Sequence, residues 1–547
     1  MIFKSLHKEI TVPPGITYWD WLLSDNAAFP VPNDPNTGYV DGITGQRITF
    51  HQVRDYSISL ASALVNEHNL RPGDVVSICS PNTIWYPLCT LAVMRAGGIP
   101  ALSSPAYTED EFVHTIGTVK SRFIIASSDA LPLIGKAGKR LGISDSRTFS
   151  MEEATGGFKS IQDMIKKYHG PTTPSQPLPA GKTNGQVPGV LCFSSGTTGL
   201  PKAVMVSHQN LIAQCLQVLA TTYPDHKKVL AVLPFYHITG VVKLMTFPLI
   251  LNAEVVVLSK FTMKALLDAV ARHRIPELQL VPPLLIRLVR DPLVEKYDLS
   301  FVKRFGTGAA PTSDEILALL EKKFPGSGIK QGYGLTESTG CITQHPLGVN
   351  SYEFAHRAGT LVASTQVKIV KEDGQLAGVD EQGEILAKGP QIFPGYYNNP
   401  EASAAAFDED GFLRTGDQGS IDSNGWLTIH DRIKELIKVK GVQVAPAELE
   451  DAVLGHPKVE DAAVVGIPDD YAGELPYAFI VPKPEYAQET GIAQEIVAYI
   501  KEKKSRTKWL GGAVVVPVIP KSASGKILRR VLKKEHLEAF KKPVAKL

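Results

Sequence analysis

Paired cysteines, long apolar runs and a strong net charge are all missing from this chain of 547 residues. The five cysteines form no Cys-x-x-Cys pair and no cluster with histidine, which argues against a disulfide framework or a zinc site. No stretch approaches the roughly 18 uninterrupted apolar residues of a membrane-spanning helix. The first residues also lack the apolar segment of a secretory signal. We therefore expect a protein of a reducing compartment with no membrane span.

The formal net charge is only +2, so no overall field favours nucleic acid. The charge is uneven, because residues 501–547 hold 14 Lys and Arg against 3 Glu, while the rest of the chain holds 43 against 52 acidic residues. A basic tail is typical of a solvated surface, and it would also suit a small domain that handles anionic nucleotides. From the length of the chain we expect roughly two to four domains. Strands alternating with helices between residues 51 and 102 favour a parallel, doubly wound α/β arrangement.

The most informative stretch runs from Val190 to Val206 and predicts a strand, a glycine-rich turn and a second strand. The hydroxyls and backbone N–H groups of the turn can surround phosphate oxygens, and Lys202 adds a positive charge. A Walker loop is excluded, because it needs four residues between its glycines and a Lys-Ser/Thr pair directly after the second. Clusters of Ser, Thr and Gly are usually plain loops, so these residues alone leave a surface hairpin open.

The string SSGTTGLPKAV, residues 194–204, resembles the phosphate-binding signature of the adenylate-forming (AMP-binding) superfamily. Further motifs follow in the family's order over nearly the whole chain, which looks most like an acyl-CoA synthetase of the 4-coumarate–CoA ligase-like branch. The resemblance implies a large α/β region of stacked, doubly wound sheets with a β-rich subdomain, residues 1–431. It also implies a small, mobile α+β domain, residues 432–547, that carries the catalytic lysine. ATP, Mg²⁺ and coenzyme A are the implied cofactor and co-substrates.

The string QGYGLTE, residues 331–337, is the more specific nucleotide motif. Its aromatic ring can stack on adenine, Thr336 can contact the α-phosphate, and Glu337 is an oxygen ligand suited to Mg²⁺. A carboxylate placed at a helix N-terminus is the structural alternative for Glu337. By resemblance, Lys526, His237, Thr336 and Glu337 are the catalytic residues. The implied ATP and AMP contacts are Ser194, Ser195, Gly196, Thr197, Thr198, Lys202, Gln331, Gly332, Tyr333, Thr336, Asp417, Arg432, Lys434, Lys438, Gln443 and Lys526.

The acyl pocket implied by the resemblance departs from that of phenolic-acid ligases, which usually carry Tyr at Thr239, a small polar residue at Lys243 and Pro-Val at residues 340–341. Thr239 and Gly340 would widen the pocket, so we do not expect 4-coumarate itself as the substrate. A buried ammonium is unfavourable unless paired. Lys243 therefore either points to solvent or pairs with a second carboxylate or polar tail of the substrate. The implied acyl contacts are His237, Thr239, Lys243, Ala309, Gly332 and Gly340, and the implied coenzyme A contacts are Lys260, Lys440 and Gly441.

The implied reaction activates a small carboxylic acid as acyl-AMP with release of pyrophosphate, and then transfers the acyl group to coenzyme A. The small domain would rotate about Asp431, so that Lys526 serves the first step and the Lys440-Gly441 face the second. The alternatives are a stand-alone adenylation enzyme that loads a carrier protein, a luciferase-like oxygenase, and a nucleotide sensor without catalysis. The presence of both Glu337 and Lys526 argues against the sensor.

The last three residues, Ala545-Lys546-Leu547, resemble a peroxisomal targeting tripeptide. The sequence therefore predicts a peroxisomal location and the peroxisomal import receptor as a partner. A chance match in a cytoplasmic protein is the alternative.

Overall fold

The computed structural model describes residues 1–31, 34–194, 201–308, 310, 312, 314–440, 442–469, 471–522 and 525–535. A seven-stranded sheet forms its first layer, and all its neighbouring strands are parallel except one hairpin at the edge. From that edge the strands are Lys202–Ser207, Pro188–Ser194, Ile99–Ser103, Val75–Cys79, Phe123–Ala126, Thr148–Ser150 and Lys159–Ser160. The associated helices are Phe50–Asn66, Tyr86–Arg95, Glu109–Val119, Leu131–Arg140, Ile161–Lys167 and His208–Leu219.

The central strands of this sheet are apolar on both faces because helices cover both faces. Ile78 and Phe123 pack with the helices Phe50–Asn66 and Tyr86–Arg95 in one core. Their neighbours in sequence, such as Cys79 and Ile124, face a second core that includes Phe112 and Ile134. Continuous apolar runs are typical of such doubly covered parallel strands. The predicted doubly wound α/β fold is confirmed.

Two further sheets complete the α/β part. A four-stranded sheet consists of Lys228–Ala231, Glu254–Val257, Gly38–Asp41 and Arg47–Ile48, in that order. A five-stranded sheet consists of Glu277–Gln279, Arg304–Thr307, Gly328–Leu335, Gly340–Gln344 and Thr360–Leu361. Alternate residues of the four-stranded sheet face different cores, and one of these cores is shared with the five-stranded sheet. The helices of this part are Tyr18–Leu23, Phe247–Leu251, Met263–His273, Pro282–Arg290 and Asp314–Lys323, with a π-helical segment at Gly240–Thr246.

The β-rich subdomain is an antiparallel five-stranded sheet with a small core of its own. Its strands are Ile2–Lys4, Gln366–Val370, Gly383–Lys388, Leu413–Ile421 and Leu427–Arg432, and the helix Pro400–Ala405 lies between the third and fourth. The strand Leu427–Arg432 crosses the predicted domain boundary at residues 431 and 432. That boundary stays a prediction.

The C-terminal region has its own sheet and two cores, which matches the predicted small α+β region. Its strands are Ile437–Val439, Val442–Val444, Val459–Asp469, Gly473–Pro482 and Gly512–Val515, and its helices are Pro446–Leu454, Ile492–Lys503 and Arg529–Glu535. Short 3₁₀ helices throughout the chain are Asp145–Arg147, Pro292–Lys296, Thr336–Ser338, Tyr352–Phe354, Pro484–Tyr486 and Arg506–Lys508. Among the described residues, no helix is both long enough and apolar enough to span a bilayer.

Candidate active site

The predicted phosphate loop joins two antiparallel strands, in which Lys202 lies opposite Ser194. The strand-turn-strand prediction is therefore confirmed for both strands. The Lys202 ammonium lies 5.0 Å from the centre of the Tyr396 ring, within the range of a cation–π contact. Four loop residues of the predicted ATP set lie outside the described residues, namely Ser195, Gly196, Thr197 and Thr198.

Thr336 and Glu337 begin a 3₁₀ turn directly after the strand Gly328–Leu335. The Tyr396 hydroxyl donates a 2.9 Å hydrogen bond to Oε1 of Glu337. Burial raises the pKa of Tyr396, and the neighbouring Glu337 carboxylate raises it further. Oε2 of Glu337 accepts no hydrogen bond from the part of the chain that is described. Lys202, Tyr396 and Glu337 thus form one charged cluster beside the phosphate hairpin.

Sequence reasoning missed Tyr396. It is 59 residues from its partner Glu337, and no pattern in the sequence relates the two positions. Only the packing of the segment around Phe393 beside the 3₁₀ turn brings the hydroxyl to the carboxylate, where the Phe393 N–H donates to the Glu337 carbonyl.

A second cluster joins Tyr333, Asp417 and Arg432. The Tyr333 hydroxyl donates to Oδ2 of Asp417 at 2.7 Å, and Nε of Arg432 lies 3.5 Å from Oδ1 of the same carboxylate. Asp417 and Arg432 face each other on paired strands. Asp417 is only 4% exposed, and burial raises its pKa while the Arg432 charge opposes that rise. The cluster presents a desolvated carboxylate that can accept hydrogen bonds from hydroxyl groups.

The glycines of the motif at residues 331–337 differ in how much space surrounds their Cβ positions. A Cβ on Gly334 would lie 1.5 Å from the Gly340 carbonyl oxygen, so the tight pairing of these strands requires glycine. Gly340 itself has φ of +116°. Gly332 is less crowded, since the nearest atom to its Cβ position is the Thr343 carbonyl at 3.2 Å. The Gln331 side chain is buried and donates to the Ala355 carbonyl.

Lys526 approaches these residues from the C-terminal region. Its loop is closed by two hydrogen bonds, from the Ser522 N–H to the Lys526 carbonyl at 2.8 Å and from the Lys526 N–H to Oγ of Ser522 at 3.1 Å. A Cβ on Gly525 would lie 3.0 Å from Pro283, so the loop rests against the start of the helix Pro282–Arg290. Burial and the Arg432 charge lower the pKa of Lys526, and the charges of Glu435 and Asp417 partly oppose this lowering. The ammonium has no ion pair or hydrogen bond within the described residues.

Three further contacts hold the C-terminal region in this position. Nη1 of Arg290 donates to the Glu460 carbonyl at 2.6 Å. The Gln443 side chain accepts a hydrogen bond from Gln418 at 3.3 Å and donates to the Glu372 carboxylate. These contacts join elements on either side of the predicted hinge.

The predicted hinge residue Asp431 is 8% exposed. One of its carboxylate oxygens accepts from the Arg432 N–H at 2.7 Å, and the other accepts from the Ala447 N–H at 3.1 Å, at the start of the helix Pro446–Leu454. Burial raises the pKa of Asp431. The side chain thus connects the last strand of the β-rich sheet to the first helix of the C-terminal region.

Several predicted ligand contacts form no hydrogen bond or ion pair with the two clusters within the described residues. Lys434, Lys438 and Lys260 are exposed. Lys440 is also exposed, has a φ of +51°, and places its ammonium 4.1 Å from the centre of the Tyr471 ring. Gly441 lies outside the described residues. In this arrangement Lys440, the described residue of the predicted coenzyme A face, is turned to solvent.

The predicted acyl residues His237 and Thr239 precede the π-helical segment Gly240–Thr246. A Cβ on Gly240 would lie 2.0 Å from the Pro234 carbonyl oxygen, so the turn into this segment requires glycine. Burial lowers the pKa of His237 to about 4, so the imidazole is neutral at pH 7. π-helical turns are often found at functional sites. Ala309 lies outside the described residues.

Lys243 lies within the π-helical segment and is half-buried. Its charge contributes to a lowered pKa at the buried Lys330. Both alternatives for Lys243 stay predictions. Lys330 was not identified from the sequence, since a single lysine beside a glycine-rich motif carries no pattern.

Comparisons with known proteins show the family to which the chain belongs. A family model described as AMP-binding enzyme matches residues 31–397, and one described as AMP-binding enzyme C-terminal domain matches residues 448–526. A probable 4-coumarate–CoA ligase 1 of Dictyostelium discoideum is 36% identical over 517 residues, covering 90% of this chain and 91% of the relative. The peroxisomal OPC-8:0-CoA ligase 1 of Arabidopsis thaliana is 36% identical over 502 residues, covering 90% and 89%. The anthranilate CoA ligase AuaEII, solved in complex with anthranoyl-AMP, shares the fold with a TM-score of 0.85 at 23% identity, over 96% of this chain and 98% of that one.

Proposed function

The chain belongs to the AMP-binding enzyme family, and we propose that it is an ATP-dependent acid–thiol ligase that joins a carboxylic acid to coenzyme A. In the first step a carboxylate oxygen of the acid attacks the α-phosphorus of ATP. An acyl–phosphate bond forms, and the bond to pyrophosphate breaks. In the second step the sulfur of coenzyme A attacks the acyl carbon, the bond to AMP breaks, and the thiol proton is released.

The observation that carries this proposal is the position of Lys526. Lys526 of the C-terminal region is partly buried, the charges of Arg432 and Asp417 of the β-rich sheet act on its pKa, and its ammonium has no ion pair or hydrogen bond within the described residues. An unpaired cation at this point can neutralise negative charge that develops between a carboxylate and an α-phosphate. Electrostatic stabilisation of this kind is usually the largest single contribution to such a reaction.

The other residues act by placing ATP. Asp417 accepts hydrogen bonds from the ribose hydroxyls, and Arg432 holds the same group, while Tyr333 orients the carboxylate and offers its ring to adenine. Lys202 and the phosphate hairpin hold the triphosphate. The neutral His237 positions the acyl group, and Thr336 contacts the α-phosphate. No protein nucleophile is needed.

Glu337 fits a Mg²⁺ ligand. One carboxylate oxygen is fixed by Tyr396 while the other accepts nothing from the described residues. Mg²⁺ bound to nucleotides commonly uses one or two protein carboxylates together with phosphates and water. No group of three or more His, Cys, Asp or Glu side chains suited to a metal occurs in the described ranges, so we propose a nucleotide-dependent site. A bound Mg²⁺ would neutralise triphosphate charge there.

The second step requires a different face of the C-terminal region. We propose that this region, from residue 432 onward, turns about Asp431 and replaces Lys526 with the Lys440-Gly441 face. The exposure of Lys440 in the present arrangement supports this proposal. Exposed lysines suit the anionic phosphates of coenzyme A, and Lys260 of the large region would serve the same co-substrate.

The test is mass spectrometry of the products formed from ATP, Mg²⁺, coenzyme A and a panel of aryl, aliphatic and dicarboxylic acids. New acyl-CoA masses are expected together with AMP and pyrophosphate. AMP and pyrophosphate without a thioester would favour loading of a carrier protein instead. Light emission with oxygen would indicate a luciferase-like oxygenase, and the absence of any turnover would contradict the ligase.

We further propose a peroxisomal location. It is supported by the name of the Arabidopsis thaliana relative and by the residues Ala545-Lys546-Leu547, which lie outside the described residues. A fluorescent protein fused to the N-terminus should colocalise with a peroxisomal marker, and deletion of residues 545–547 should abolish this. Equal distribution of both fusions in the cytoplasm would contradict the proposal.

A further inference from the structure

The Lys526 loop, residues 520–529, ends at Arg529, which begins the helix Arg529–Glu535. The two ends of the loop are joined, because the Leu528 N–H donates to the Pro520 carbonyl at 2.8 Å. Only two residues separate Lys526 from Arg529. A contact that fixes Arg529 therefore limits where the loop can place Lys526.

The Arg529 guanidinium binds three separate elements. Its Nε donates to the Val464 carbonyl at 3.1 Å, on a strand of the C-terminal sheet. Its Nη2 donates to both carboxylate oxygens of Glu450, at 2.7 and 2.8 Å, on the helix Pro446–Leu454. Its Nη1 donates to the carboxylate of Glu435. Because a guanidinium is planar and rigid, bonds from all three nitrogens fix its orientation as well as its position.

Glu435 is not needed to balance the charge of Arg529. Glu450 is 8% exposed and already supplies one carboxylate for the one guanidinium. The Val464 N–H also donates to Glu450, at 2.8 Å, so this carboxylate is held without help from Glu435. The Glu435 side chain is itself only 17% exposed, and desolvating a second carboxylate is unfavourable. Charge balance therefore does not account for Glu435.

Glu435 lies in the turn that follows the predicted ribose residue Arg432. The Glu435 N–H donates to the Arg432 carbonyl at 2.9 Å and closes this turn. The Ile433 N–H donates to the Gly416 carbonyl, also at 2.9 Å, directly before Asp417. The turn is thus attached to the β-rich sheet at the strand that carries the second predicted ribose residue. The ion pair between Glu435 and Arg529 joins this turn to the Lys526 loop.

We infer that Glu435 is a positioning residue for the first half-reaction, because through Arg529 it holds the Lys526 loop at a fixed place relative to the turn after Arg432. The inference rests on the proposed ligase function and adds a residue to it. The ion pair joins the group that would neutralise the reacting charge to the group that would hold the ribose. A misplacement of about 1 Å can lower a rate about a hundredfold. The second half-reaction uses a different face, so it should not depend on Glu435.

The experiment measures the two half-reactions separately in the purified full chain. Adenylation is followed as pyrophosphate release with ATP, Mg²⁺ and an acid that the wild type activates. Thioester formation is followed with coenzyme A and the supplied acyl-adenylate of the same acid. The variants are Glu435→Ala and Glu435→Gln. Glu448→Ala is the matched control, because its carboxylate pairs with Lys504 at 2.9 Å and with Lys508 at 2.7 Å in the same region, and neither lysine belongs to the Lys526 loop.

Glu435→Ala should lower kcat for adenylation about tenfold or more, with a smaller change in KM for ATP and no change in thioester formation. Glu435→Gln keeps an oxygen that accepts from Arg529 and should recover most of the loss. Glu448→Ala should leave both half-reactions near the wild type. The alanine variant should fold, since Arg529 keeps Glu450. If thermal unfolding shows that it does not, Glu435→Asp, whose carboxylate is one methylene shorter, should show the same split.

A second measurement tests whether Glu435 acts through Lys526. In a Lys526→Ala background, Glu435→Ala should no longer lower adenylation, because residues that act through one another are not additive. The same loss in both backgrounds, equal losses of both half-reactions, or unchanged adenylation in Glu435→Ala would each overturn the inference and leave the ligase standing. No pyrophosphate release by the wild type with any acid would overturn the proposed function, and the inference with it.

Discussion

Substitution of Lys526 by alanine should separate the two half-reactions. The loop that carries Lys526 is closed by backbone and Ser522 contacts, which alanine preserves. The ammonium makes no ion pair within the described residues, and burial together with Arg432 already disfavours its charge. Within the described residues its removal therefore deletes no stabilising contact, and we expect the free energy of unfolding to change by no more than about 0.5 kcal/mol, as for an ordinary surface substitution.

The effect on the first step should be large. Loss of one group that stabilises developing charge typically lowers the rate by about 10² to 10³, or roughly 3–4 kcal/mol. The second step should change little, because the proposed rotation moves Lys526 away from the acyl group before coenzyme A attacks. Adenylation, measured as pyrophosphate release, should therefore fall at least about a hundredfold more than thioester formation from a supplied acyl-adenylate.

A matched control exists five residues earlier in the same loop. Lys521 has the same charge, but its ammonium binds both carboxylate oxygens of Asp461, at 2.7 and 2.9 Å, within its own region. Lys521→Ala should leave the ratio of the two half-reactions near that of the wild type. Equal losses of both steps in Lys526→Ala, or the same split in Lys521→Ala, would refute the assigned division of labour.

Three other perturbations follow from single contacts. Tyr396→Phe removes the hydroxyl that fixes Glu337, so the Mg²⁺ concentration for half-maximal adenylation should rise several-fold; an unchanged Mg²⁺ titration would contradict this. Arg290→Ala removes the donor to the Glu460 carbonyl. It should slow adenylation several-fold and leave thioester formation from acyl-adenylate unchanged. Slower thioester formation would argue against a contact that serves only the first step. Burial lowers the pKa of His208 from 6.5 to about 4, so the unfolded chain binds the extra proton as the pH falls. About 3 kcal/mol of stability should be present above pH 6.5 and lost progressively towards pH 4. His208→Gln should flatten this dependence in thermal unfolding at several pH values, and an equally steep dependence in the variant would contradict the assignment.

Local sequence signals determined many element positions. The predicted strand Val75–Cys79 matches the structure, and the predicted helix at 51–67 is observed as Phe50–Asn66. The latter begins with a capping box between Thr49 and Gln52. These signals are local, because apolar periodicity and caps depend on neighbours a few residues away. The glycine-rich motifs were also recognisable from the sequence, because a position such as Gly334 has no room for a Cβ and therefore requires glycine.

The sequence by itself thus determined the fold class, the family resemblance and the nucleotide motifs, because each depends on residues close together in the chain. Tertiary structure alone decided which distant side chains meet. It placed Tyr396 on Glu337, Tyr333 on Asp417, and Arg290 on Glu460, and no spacing rule connects residues on separate elements. The role of a charged residue whose partner is distant in sequence becomes evident only in the folded structure. Packing then shows which charged groups lie close together and which carboxylates are already paired with another cation.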